Sequence, residues 1–181
     1  MIRKIVSPYI RKRLIGYYKK QNRNAHLQNL STAKNVGILW NPSDEASIET
    51  YELLRKVLKE KGIRTSGLAY IDSKREKETL ATVSHSGFIR KKDVSWVGKP
   101  DNGEIDQFMA LKYDIIIDLT IKKVVALQYI LIHADSRLKV GWKANDYNFY
   151  DLDIDVSANP NCKYLMDQVI FYLEKIQDKS E

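Results

Sequence analysis

The chain has 181 residues, 44% of them hydrophobic and 29% charged, with a formal net charge of +7 and a pI near 9.3. Such a length suits one domain of about 150 residues plus an extension, and the composition is that of a globular protein, not of a disordered or fibrous one. The single cysteine, Cys162, excludes an intramolecular disulfide and a cysteine-built zinc cluster, and the longest apolar run, Val124–Ala134, falls well short of the ~20 residues of a membrane span.

The charge is unevenly placed. Residues 1–34 carry nine lysines and arginines, and the first acid is Asp44; the remainder holds 21 basic and 23 acidic residues, a net of −2. The chain therefore reads as a basic arm, residues 1–33, attached to a nearly neutral domain, residues 34–181. Within the arm, Ser7-Pro8 has the form of a helix cap followed by proline in the first turn. Tyr9, Ile10, Leu14, Tyr17 and Tyr18 then recur at helical spacing between cations, and a kink near Pro8 would let Ile2, Ile5 and Val6 extend the stripe. Residues 21–33 are polar and read as a linker with room for one helical turn.

Strand and helix signals alternate from there on. Asn35–Trp40 (NVGILW) is a buried strand closed by Asn41-Pro42, and Ser43–Lys61 is a helix with Asp44 and Glu45 in its first turn and Gly62 as its stop. Arg64–Ile71 is a second strand, and Lys74–Val83 a charged helix. Phe88–Trp96 is a less regular strand with an extension around Arg90-Lys91-Lys92. Gly103–Leu111 is a short helix. Asp114–Leu119 (DIIIDL) is apolar on both faces, as central parallel strands are. Lys122–His133 is a helix so apolar that most of its sides need cover. Leu138–Trp142 is a further strand. Tyr150–Val156 alternates strictly, with Asp151, Asp153 and Asp155 on one face, and the last helix starts at Asn159-Pro160. The alternation predicts an α/β fold: a three-layer Rossmann-like sandwich with a mostly parallel sheet and a basic N-terminal helical extension.

Few motifs carry chemistry. No G-x-G-x-x-G or phosphate-binding loop follows a strand; the first turn reads Asn41-Pro42-Ser43-Asp44 instead, so no nucleotide cofactor is expected. The three aspartates at 151, 153 and 155 lack the glycine and glutamate of a calcium loop and read as a solvated strand face, so no metal is expected. His26, His85 and His133 are scattered, and no nucleophile elbow accompanies them. Cys162 falls on the apolar stripe of the last helix and reads as an inert core thiol. In parallel sheets ligands gather beyond the carboxyl ends of the strands. That rim would hold Asn41, Ser43, Asp72, Ser73, Asp118, Thr120 and Lys143.

The stretch Tyr113–Asp155 (YDIIIDLT…LKVGW…YDLDIDV) resembles the N-terminal half of heptosyltransferase-type glycosyltransferases, where a strand reading D-x-x-I-D-L leads into an apolar helix and a strand ending in V-G-W or its like follows. Over residues 35–176 the chain resembles a family of small uncharacterised bacterial proteins built on this half-domain with a basic N-terminal helix. The resemblance implies a glycosyltransferase-like half-domain that binds a small ligand at the carboxyl end of the sheet, with Asp44, Asp118 and Thr120 as the catalytic candidates. The chain ends before a second half, so a two-half site would need a partner chain. The first turn departs from those enzymes in having no glycine.

The expectation favoured by the residues themselves is a non-catalytic module whose basic helix meets a polyanion. Arg11, Lys12, Arg13, Lys19, Lys20 and Arg23 would neutralise phosphates, with Tyr17 and Tyr18 packing or stacking, as RNA or a ribonucleoprotein would require. The same helix suits an anionic membrane surface, and a protein partner is a further expectation. The compartment expected is the cytoplasm, with peripheral attachment to the inner face of the membrane under the lipid reading.

Overall fold

Pairing of the apolar runs produces a six-stranded, wholly parallel sheet in the computed structural model, which describes residues 2–72, 83, 85–143 and 147–176, with side chains from Pro8 onward. The strands are β1 (Asn35–Trp40), β2 (Arg64–Ile71), β3 (Ser86–Arg90), β4 (Tyr113–Asp118), β5 (Ser136–Gly141) and β6 (Leu152–Asp153). Their order is β3-β2-β1-β4-β5-β6, with Val36 beside Thr65 on one side and Ile115 on the other. The order reverses between β1 and β4, and the crevice beyond their carboxyl ends is where open sheets of this kind receive ligands. The fold is α/β and Rossmann-like.

The described helices are α1 (Ile2–Lys20), α2 (Ser47–Glu60), α3 (Gly103–Met109), α4 (Val125–His133) and α5 (Cys162–Lys175). The two faces of β4 explain the layers. Ile115 and Ile117 join Val36, Ile38, Leu138 and Val140 beneath α2 and α5, while Ile116 joins Leu39 and Leu68 beneath α3 and α4. Trp40 stacks on Tyr51 of α2 with ring centroids 4.6 Å apart.

Several boundaries differ from the sequence reading. Helix α1 runs through Pro8, the second course the sequence left open beside a start at Ser7-Pro8; proline's fixed φ is helical, and the cost is one amide donor and crowding against the carbonyl one turn back. Helix α2 begins at Ser47, since Asn41–Ala46 forms turns, with Ala46 left-handed at φ 56°. The expected strand Tyr150–Val156 pairs with β5 only over Leu152–Asp153. Helix α5 starts after Asn161, whose side chain accepts from the amides of Lys163 and Tyr164, so Pro160 precedes the cap. Beyond β3 the chain makes a 3₁₀ turn, Lys91–Asp93, and a bridge from Val94 to Pro100. The helix expected over Lys74–Val83 lies, except for Val83, outside the described residues.

The arm is folded onto the body. Helix α4 is apolar nearly all round and α1 covers it: Leu14 is 3% exposed, and Ile10, Tyr17 and Tyr18 pack into the same cluster as Leu127, Ile130 and Leu131. Burying such a leucine contributes about 1.5–3 kcal/mol. The segment after α1 is tied down as well. His26 N–H donates to the Arg137 carbonyl (3.0 Å), Leu30 N–H to the Leu173 carbonyl (3.2 Å), and Leu30 and Ala33 enter the core under α5.

Candidate functional site: the carboxyl rim and the basic helix

Two of the three catalytic candidates come from the end of β4, and Asp44 meets them from the turn after β1. Asn41 closes β1 and its side-chain oxygen accepts from Ser43 N–H (3.0 Å), which turns the chain so that Asp44 faces β4 instead of the start of α2. The Asp44 carboxylate, 5% exposed, accepts from the backbone amides of Ile121 (2.8 Å) and Lys122 (3.1 Å). It pins the loop after β4 and is not the helix-dipole partner the sequence suggested. Burial pushes its pKa up, against the pull of those two amides.

Asp118, 1% exposed, sits at the centre of a second, denser knot. One carboxylate oxygen accepts from Thr120 N–H (2.9 Å) and Thr120 Oγ1 (2.6 Å); the other accepts from the Tyr150 hydroxyl and lies 3.4 Å from Lys123 Nζ. The Lys123 ammonium also donates to the Thr120 carbonyl (2.8 Å) and to Tyr150 Oη (2.9 Å). Burial lowers the Lys123 pKa, opposed by the adjacent Asp118, and raises that of Tyr150 well above its ordinary value. Gly141 makes this possible: a Cβ there would stand 2.6 Å from Tyr150 Cε1, so only glycine lets the ring cross the end of β5. Cys162 Sγ donates to the Leu119 carbonyl (3.5 Å) behind the knot, and burial lifts its thiol pKa to about 12, as an inert thiol requires.

The rim is thus brought together as expected, but its polar groups are spent on one another. Buried polar groups satisfied this fully hold a fold in place. The crevice at the switch point is filled by the chain's own Asp44, Asp118, Lys123 and Tyr150. Asp72 and Lys143 stand apart from it, paired with Lys91 (3.1 Å) and Asp153 (3.3 Å), and Ser73 lies outside the described residues.

Of the three aspartates around β6, Asp151 and Asp153 are fastenings, whereas Asp155 is exposed, as on a solvated face. Asp151 receives Arg23 on both carboxylate oxygens and the Lys139 amide (2.7 Å); Asp153 takes Lys143; Asp155 accepts from Ser157 N–H (2.8 Å), which lowers its pKa. Among the described residues no three His, Cys, Asp or Glu side chains are grouped to hold a metal ion. The histidines remain scattered: His26 and His85 are exposed, and His133 stacks on Tyr129 with centroids 4.1 Å apart.

The polyanion candidates divide in two. Arg23 is committed to Asp151 and to the carbonyls of Ser136 and Arg137 (both 3.0 Å). Tyr17 meets Tyr129 and His133 edge-on, and Tyr18 meets Tyr147 and Phe149, so both rings belong to the packed side of α1. Arg13 donates to the Tyr17 hydroxyl (2.7 Å) and is half-buried. Arg11, Lys12, Lys19 and Lys20 are exposed, with Tyr9 at 53% exposure. The cluster Arg90-Lys91-Lys92 with Trp96 and Lys99 nearby is the extension that the sequence offers to this face if it folds towards the arm. The turn Ser95–Lys99 abuts α1, since a Cβ on Gly98 would stand 2.9 Å from Ile10 Cγ2, and it carries Trp96 at 78% exposure. Sequence reasoning missed Lys139, wholly buried in β5, whose ammonium donates to the Ile132 carbonyl (2.8 Å) and whose pKa burial lowers to about 7.

No described helix is long and apolar enough to cross a membrane. Among solved structures the chain is similar to the heptosyltransferase WaaC of E. coli, solved with ADP, at 13% identity and a TM-score of 0.52. The likeness covers 81% of this chain and 49% of that one, so the chain spans about half the length of the transferase, and at that identity the likeness concerns the fold. Curated protein sequences yield no match. A family model matches residues 4–176, from the first turns of α1 to the end of α5, and on that match the chain belongs to a family of unknown function, DUF6913.

Proposed function

We propose that the protein is a binding module that receives a single-stranded polyanion of the RNA type along the outward face of α1. One observation carries this reading: the helix is docked by Ile10, Leu14, Tyr17 and Tyr18, its opposite side offers Lys12, Lys19, Lys20 and Tyr9, and the turn that carries the exposed Trp96 abuts the same helix at Ile10. Docking fixes the cations in one rigid row, which lowers the entropy lost when phosphates bind. Exposed rings among fixed cations suit base stacking combined with phosphate neutralisation. Arg11 and Arg13 flank the row. Arg23, Tyr17 and Tyr18 drop out of the contact set, and Tyr9 and Trp96 replace the two tyrosines.

Anisotropy of a labelled single-stranded RNA against salt tests the reading. Three phosphate contacts give a slope of log affinity on log salt of about −2, at roughly −0.7 per contact. Lys12→Ala, Lys19→Ala and Lys20→Ala together should abolish most of that slope, and Trp96→Ala should weaken binding without changing it. A salt-independent affinity, or one the triple variant leaves intact, rules the reading out. Binding to anionic vesicles but not to RNA would transfer it to a lipid surface.

A second reading, a glycosyltransferase-like half-domain, draws support from the fold shared with a transferase solved with ADP. It asks Asp44, Asp118 and Thr120 to exchange their present hydrogen bonds for a ligand. A thermal shift with a nucleotide sugar, lost in Thr120→Val, would favour it over the first.

A further inference from the structure

The opposite end of the sheet is open where the carboxyl end is closed. A cleft of about 710 Å³ lies at the amino ends of β1, β2 and β4, floored by Ile63, Leu111 and Tyr113. That volume is within the usual range for small-molecule sites. Arg55, Lys59, Arg64 and Lys112 line it, and among the described residues no carboxylate does. Glu52 faces Arg55 at 3.0 Å and Asp135 stands 3.9 Å from Lys112, whereas no described carboxylate pairs with Lys59 or Arg64. The carbonyl end of α2 contributes about half a negative charge near Lys59. Four cations set against those terms leave an excess of about 1.5 positive charges, close to the −1.5 to −2 of a phosphomonoester at neutral pH.

A second cleft, of about 570 Å³, adjoins the first and shares Thr65, Ser66, His85 and Leu111 with it. Its further lining includes Gln107, Glu104 and Ser86, none positively charged; one Glu104 oxygen accepts from Phe88 N–H, and the Ser86 hydroxyl accepts from Trp40 Nε1–H and donates to the Gly87 carbonyl. His85 stands at the junction in a left-handed conformation, φ 57°, uncommon for a residue other than glycine. Its carbonyl is held there by the Tyr51 hydroxyl (3.0 Å) and by Gly67 N–H (3.1 Å), and any side chain at Gly67 would collide with Tyr51. Unfavourable backbone conformations held by surrounding structure collect at ligand sites.

We infer that this double cleft binds a hydroxyl-bearing phosphomonoester, the phosphate among Arg55, Lys59 and Arg64 and the hydroxyls towards Ser86, Glu104 and Gln107. The site is separate from the outward face of α1 and does not depend on the RNA reading.

Calorimetry of the full chain with ribose 5-phosphate tests it, with ribose and inorganic phosphate as comparison probes. The expected result is saturable binding of ribose 5-phosphate with a Kd below about 1 mM, weaker binding of phosphate and none of ribose. Lys59 and Arg64 are exposed, so K59A/R64A should leave the melting temperature unchanged and lower the affinity at least tenfold, as loss of charge-assisted hydrogen bonds does. The Lys12, Lys19 and Lys20 triple variant should bind ribose 5-phosphate normally. No saturable binding, ribose binding as tightly as its phosphate, inorganic phosphate binding equally well, or an affinity untouched by K59A/R64A would each overturn the inference. A loss confined to the triple variant would also do so, by placing the anion on α1.

Discussion

At the two ends of one parallel sheet this protein treats charge in opposite ways. Beyond the carboxyl ends of β1 and β4, Asp118 and Lys123 are buried side by side and every polar atom described for them is bonded within the chain. At the amino ends, Lys59 and Arg64 stand exposed around a cleft that no carboxylate lines among the described residues. The contrast teaches that the customary ligand position of the fold is a tendency of topology, and side chains can occupy it. A sealed crevice stabilises; an open, one-signed cleft is available to bind.

The largest effect expected is at the sealed end. Asp118→Ala leaves Lys123 buried without its carboxylate, which should cost about 3–5 kcal/mol and lower Tm by roughly 10 °C for a domain this size. Chemical denaturation of the variant measures it. A loss under about 1 kcal/mol would mean the knot is not what holds the rim shut, and the contrast between the two ends would fail.

Lys139 shows what a buried ammonium does without a carboxylate. Its folded pKa, about 7, lies below the ~10.4 of the unfolded chain. Between those values the unfolded state binds the extra proton, so stability rises as pH rises from about 7 towards 10, by up to about 1.4 kcal/mol per pH unit. Below pH 7 both states are protonated and this contribution is flat. Lys139→Met should therefore be more stable than the parent at pH 7 and lose the upward slope, as denaturant titrations at pH 7, 8 and 9 would reveal. An unchanged slope would assign it to other groups.

A smaller effect sharpens the comparison from the open end. Gly67→Ala pushes the Tyr51 hydroxyl off the His85 carbonyl, an overpacking worth about 1–3 kcal/mol. If His85 shapes the cleft, affinity for ribose 5-phosphate should fall with it, whereas Gly141→Ala, which disturbs Tyr150 at the sealed end, should destabilise comparably and spare that affinity.

Much of this was legible in the chain. β1 and β4 show as apolar runs closed by Asn41-Pro42 and by Asp118, and they are strands at nearly the expected bounds because burial on both faces leaves such runs no alternative pairing. β6 was overread, since Leu152, Ile154 and Val156 alternate well but Asp151 and Asp153 are engaged by Arg23 and Lys143 instead of facing solvent. Asp118 and Thr120 were placed on the rim by topology, and they are there; Asp44, named through the resemblance and read into the first turn of α2, joins them from the turn before that helix. Lys123 had a signal, the second of two adjacent lysines, five residues after Asp118 at the head of an apolar helix. Tyr150 had none: it arrives from 32 positions away and fits only because Gly141 lacks a Cβ.

The sequence alone determined the parallel sheet, the all-apolar character of α4 and the amphipathic, basic character of α1, because each follows from local periodicity. That α1 covers α4, that Arg23 is spent on Asp151, and that the turn carrying Trp96 abuts α1 at Ile10 were decided only by tertiary packing. Apolar burial is non-directional: a stripe announces that it must be covered, and the geometry of the whole chain selects the surface that covers it.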